Sequence, residues 1–168
     1  MSLAIKRSDY GYGVVEDNHL SAKRSGHVYA QLPAASTITE LENGQYVKYD
    51  YAAGECNFTG EGRFMMVYNE EKLYDERHQM HRDYVMKADD FYDGKMYPRV
   101  IAMELGDIYT TNCVKDGTYA VGNKLVVGST GILEPLSGTA AAGQPVLKVV
   151  KEYTMPDGTP GLKLQCIA

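Results

Sequence analysis

The residues best suited to chemistry lie in one charged stretch. His78-Gln79-Met80-His81 is flanked by Asp75, Glu76 and Asp83. Two histidines three apart on a helix present two nitrogens to one metal ion. A working centre needs a third ligand, and a hydrolytic one also needs an open position and a base. The pair stands here without HExxH, so the stretch reads as a solvated polar face, and no metal or other cofactor is expected. Asp89-Asp90-Phe91-Tyr92-Asp93-Gly94 joins carboxylates to a turn glycine. It lacks the alternating oxygen ligands, closed by a bidentate acid, that a calcium loop uses. It reads as a surface turn.

Nucleophilic chemistry finds no motif. The chain has neither a GxSxG elbow nor SxxK. Gly11-Tyr12-Gly13 and Gly60-Glu61-Gly62 continue into neither GxGxxG nor a phosphate loop. The three cysteines, Cys56, Cys113 and Cys166, are widely spaced and form no CxxC. They read as free buried thiols of a protein made in a reducing cytoplasm. No catalytic residue is assigned, and the chain is not expected to be an enzyme.

Composition narrows the partners. The net charge is −5, which argues against nucleic acid, since a phosphate-binding domain needs a basic face. Lys and Tyr interleave over Tyr46-Val47-Lys48-Tyr49-Asp50-Tyr51, as on base-stacking platforms. Cross-strand Tyr pairing explains that run better in an acidic chain. No stretch approaches a membrane span and no apolar run follows Lys6-Arg7, so neither a membrane nor an export signal is expected. The 14 Tyr against 3 Phe and no Trp suit half-buried strand faces and contact surfaces.

The elements that would carry these residues are mainly strands. The 168 residues suit a single domain, which divides by composition into three regions. Residues 1–26 are polar and glycine-dotted and read as an extended arm; removing them is expected to leave the rest folded. Residues 27–98 open with alternation at Val28, Ala30 and Leu32, then at Val47, Tyr49 and Tyr51. Arg63 to Tyr68 reads as a buried strand. Glu70 to Lys95 follows, where 13 of 26 residues are charged. Leu73, Arg77, Met80 and Tyr84 share a thin helical face there, which suggests a short helix or an ordered excursion.

Residues 99–168 hold the clearest antiparallel signals. Ile101, Met103 and Leu105 alternate. Gly106-Asp107 then suggests a two-residue turn with Gly in the first central position. Asp116-Gly117, Gly122-Asn123 and Pro156-Asp157-Gly158 mark further turns, and Ser137 to Gly143 is a small-residue loop. Short strands joined by tight turns imply an antiparallel β-barrel or β-sandwich.

Several segments resemble the capsid decoration, or cement, proteins of tailed bacteriophages. The resemblance rests on Tyr68 to Arg77, Tyr97-Pro98-Arg99, Leu105 to Asn112, Thr118 to Gly128 and the hairpin at Pro156-Asp157-Gly158. It spans about residues 63–168. It implies a β-rich homo-oligomer, a trimer or dimer, that binds major capsid protein subunits on the surface of the virion. Such proteins are made in the host cytoplasm and have no catalytic residues to transfer. A phage tail or fibre component is the nearest alternative. A β module binding carbohydrate or a host surface is the next.

Candidate contact residues come from the residues themselves. Lys6, Arg7, Tyr10 and Tyr12 lie in the arm, as do Lys23 and Arg24. Tyr74, Arg77 and Arg82 lie in the charged excursion. An extended arm can add a strand to an open edge of a neighbour.

Overall fold

Strand alternation sets the layers. The structure, a computed structural model, describes residues 2–6, 13–16, 19–24, 26–69, 85–156 and 158–168. Its strands are β1 (Ser2–Ile5), β2 (Val28–Tyr29), β3 (Glu40–Glu42), β4 (Tyr46–Asp50), β5 (Glu55–Asn57), β6 (Arg63–Val67) and β7 (Val85–Lys87). They continue with β8 (Val100–Ile101), β9 (Ile108–Thr111), β10 (Gly117–Ala120), β11 (Lys124–Val127), β12 (Leu133–Pro135), β13 (Val146–Thr154) and β14 (Pro160–Cys166). A 3-10 turn covers Ala88–Asp90.

Two five-stranded antiparallel sheets form the body, ordered β12-β11-β13-β14-β9 and β2-β8-β6-β4-β5. Each ends in edge strands and neither closes on itself, so the architecture is a sandwich rather than a barrel. The main core lies between them. Tyr109, Leu125, Leu147, Leu162 and Leu164 of the first sheet meet Tyr46, Met66 and Ile101 of the second.

The second sheet is buried on both faces. On β6, Met66 points into the main core, while Met65 and Val67 point the other way, into a second core with Val47, Tyr49 and Val100. That is why Phe64-Met65-Met66-Val67 reads as an unbroken apolar run. The ribbon β3-β7 and the crossing segment Leu32–Ala35 contribute to this second core. Cys56 N–H donates to Pro33 O at 2.7 Å, and Ala35 N–H to Cys56 O at 2.8 Å.

The described parts of the N-terminal region lie along their own domain. β1 pairs antiparallel with β10 from Ser2↔Ala120 to Ile5↔Gly117. Ile5, Val15, Leu20 and Ala22 are buried in the main core. Removing residues 1–26 would therefore strip four buried side chains from that core, which bears against the expectation that the rest folds without them. Of the charged excursion, residues 70–84 lie outside the described residues, including the helical face of Leu73, Arg77, Met80 and Tyr84. Its end is strand β7, paired with β3, and the 3-10 turn.

The turn at Gly106 also differs from expectation. Its central residues are Leu105 and Gly106, closed by Asp107 N–H donating to Glu104 O at 3.0 Å. Gly106 has φ +90° in the second central position, the mark of a type II turn. The chain leaves the sheet after Ile101, and Leu105 is 74% exposed at the tip. Ala120-Val121-Gly122-Asn123 is built in the same way, with Asn123 N–H donating to Ala120 O at 3.0 Å. In both turns the fourth side chain reaches back. Asp107 Oδ2 accepts from Glu104 N–H at 2.9 Å, and Asn123 Oδ1 from Ala120 N–H at 2.8 Å. Gln45 and Gln144 do the same to Glu42 and Ala141. A side-chain oxygen thus satisfies the N–H that the turn leaves open, and each turn is pinned twice.

Candidate functional site: pinned turns and buried polar clamps

The candidate contact residues separate into three groups. Lys6 is exposed just after β1. Lys23 is exposed, with Nζ 5.8 Å above the Tyr68 ring. Arg24 grips Asp107 through both ends, Nη1 to Oδ1 at 3.0 Å and Nη2 to Oδ2 at 3.2 Å, and Nη2 also reaches Glu104 at 3.2 Å. Arg7, Tyr10, Tyr12, Tyr74, Arg77 and Arg82 lie outside the described residues, as do His78 and His81.

Asp107 is the hub that sequence reading passed over. Its side chain is 5% exposed and accepts from Arg24, from Ser21 Oγ at 3.2 Å and from Glu104 N–H. Ser21 Oγ in turn accepts from Ile108 N–H at 2.7 Å. The N-terminal segment is thereby fastened to β9, the edge strand of the first sheet. Glu16 N–H donates to Thr110 O at 2.8 Å and Ser21 N–H to Ile108 O at 2.9 Å. This covering occupies backbone groups that an open edge would offer to another chain.

A second polar cluster fixes the neighbouring loops. Gly13 N–H donates to Glu42 Oε2 at 2.7 Å, and Val14 N–H to Asn112 Oδ1 at 2.7 Å. Asn43 brackets Asn69, accepting from its N–H at 2.7 Å and donating to its carbonyl at 3.1 Å. Asn69 Oδ1 accepts from Arg99 N–H at 2.9 Å. Asn69 Nδ2 is buried with no hydrogen-bond partner.

Burial sets the state of the cysteines. Burial pushes the Cys56 thiol up to about 12, and raises Cys166 above its ordinary value despite a hydrogen bond toward Ala168. All three cysteines are free and buried. Among the described residues, no group of three or more His, Cys, Asp or Glu converges to hold a metal ion. Asp93 Oδ1, in the stretch weighed as a calcium loop, accepts from Lys95 N–H at 3.1 Å.

No protein family, curated protein or solved structure matches this chain.

Further features lie at the surface. A cleft of about 760 Å³ opens beside the small-residue loop, lined by Phe64, Met103, Leu105, Ala141, Pro145 and Cys166. Large apolar side chains also stand in solvent: Tyr92, Leu105, Tyr51, Val121 and Tyr97. Leu105 and Val121 occupy the same place in two similarly built turns, directly before the glycine. The sequence placed Leu105 in an alternating strand and Val121 only within the segment Thr118 to Gly128. The signal present in the chain is Gly followed by Asp, Asn or Gln ahead of a strand, at Gly44, Gly106, Gly122 and Gly143.

Proposed function

We propose that the chain is a structural protein of a tailed-phage particle, which decorates the assembled capsid and stabilises it by binding major capsid protein subunits. It acts as a dimer or trimer, is made in the host cytoplasm, is carried on the virion surface and performs no enzymatic step. The observation that carries this reading is the pair of pinned turns. Leu105 is 74% exposed and Val121 is 59% exposed, each on a turn held by a backbone and a side-chain hydrogen bond. Single exposed apolar residues are ordinary on any surface. An apolar anchor on a rigid tip is different, because little entropy is lost when it docks. Repeated over a symmetric shell, modest contacts of this kind add to high avidity.

The test is sedimentation of variants with empty capsid shells. L105D and V121D keep the fold, since both side chains are already in water, and are expected to pellet with shells less than the parent does. Undiminished binding by both would contradict the contact assignment. The cleft favours a second reading, a β module that binds carbohydrate. A glycan screen with a hit abolished by filling the cleft, for instance by A141W, would move the balance to it.

A further inference from the structure

Asn43-Gly44 is the pairing in which a side-chain amide is most open to the next backbone nitrogen, because glycine has no side chain to shield it. The reaction needs only water. The Gly44 nitrogen loses its proton and bonds to Asn43 Cγ, and ammonia leaves. Water then opens the five-membered imide to aspartate or isoaspartate. The fold requires the glycine of this pair. Gly44 has φ +94°, and a Cβ there would lie 2.7 Å from Cys113 Cβ and 2.8 Å from Thr111 Oγ1.

The native structure restrains both reacting groups. Gly44 N–H donates to Val67 O at 2.9 Å. Asn43 is 9% exposed, and its amide is held at both ends by the Asn69 backbone, at 2.7 and 3.1 Å. We propose that Asn43 is a latent modification site, inert while the β3–β4 turn is docked on Val67 and Asn69, and hydrolysed when that docking opens. The change is one-way. A carboxylate has no N–H for the Asn69 carbonyl and sets an oxygen against it. Isoaspartate adds a methylene to the main chain. The Asn69 side chain in turn holds Arg99 N–H.

The full chain is incubated at neutral pH, folded and in urea, and peptides are mapped by mass and by enzymatic methylation of isoaspartate. Asn43 is expected to react at least ~10-fold faster in the unfolded chain, because the native reaction must wait for local opening. Asn123, exposed but followed by Lys124, serves as the hindered control and stays intact. Equal rates in folded and unfolded chains would overturn the proposal. N43D is expected to raise the unfolding equilibrium constant ~10-fold or more, and parental stability would refute the one-way step. If N43D is not recovered folded, the parent is deamidated in urea and returned to buffer. A lower refolding yield than unreacted chain supports the proposal, and an equal yield overturns it.

Discussion

Tyr46 and Tyr109 meet hydroxyl to hydroxyl at 3.1 Å, inside the core and across the two sheets. Tyr46 is on β4 and Tyr109 on β9, and both are fully buried. Burial raises both phenols above their ordinary value, so neither ionises in the folded chain at neutral pH. Each hydroxyl supplies the other's partner. Y46F or Y109F alone strands a buried hydroxyl and is expected to cost about 1–3 kcal/mol in urea unfolding. The double variant removes both groups together and is expected to cost less than the sum. Strict additivity would show that the two hydroxyls do not satisfy each other.

Acid should reveal the turn after β4. Asp50 Oδ1 accepts from Ala52 and Ala53 N–H at 3.0 Å each, and Oδ2 from Glu61 N–H at 3.2 Å. The Ala53 N–H leads in holding this carboxyl below its ordinary value. A depressed value favours the folded state above the unfolded value of about 3.9, and the gain fades as pH falls through the folded value. D50N keeps one acceptor and places an amide nitrogen at the other, so it loses stability at neutral pH. Its stability is expected to depend less on pH below about 4. An unchanged acid limb in D50N would remove Asp50 from the account.

Much of this fold was legible in the chain. Arg63 to Tyr68 is unbroken because β6 is buried on both faces, and the chain turns between β13 and β14 with Gly158 N–H donating to Met155 O. The two-sheet body follows from many short strands and glycine turns. Other features depended on contacts between distant residues. Leu105 continues the alternation of Ile101 and Met103, yet it sits on a turn because Asp107 and Gly106 bend the chain there. Asp107 looked like a turn residue, while its partners Ser21 and Arg24 lie more than 80 positions away. Asn43 and Asn69 carried no motif, since their bonds are to backbone groups brought near only by folding.

Thiol reactivity should follow burial. Cys56, Cys113 and Cys166 are expected to resist a disulfide reagent at about pH 8 and to react together in denaturant, because all three are buried away from the reagent and burial also opposes thiolate formation at Cys56 and Cys166. Fast stoichiometric labelling of the folded chain would contradict their placement.

The N-terminal segment should prove integral to the domain. Ile5, Val15 and Leu20 are buried in the main core, each worth about 1.5–3 kcal/mol on full burial. A domain's whole stability is about 5–15 kcal/mol. Deleting residues 1–26 is therefore expected to abolish cooperative unfolding. D107A tests the fastening alone and should cost about 2 kcal/mol or more, by leaving Arg24, Ser21 and Glu104 N–H without their shared acceptor. A truncated chain with a parental unfolding midpoint would show that the segment is dispensable.

The central claim is that this chain grips an assembled shell through pre-set surface anchors. It is tested most directly by sedimenting purified protein, over a range of concentrations, with empty capsid shells of tailed phages, the particles to which the proposal assigns it. Saturable pelleting at a fixed ratio to capsid subunits, with shells that then withstand higher temperature, is the predicted result. Protein that stays in the supernatant at every concentration would contradict it.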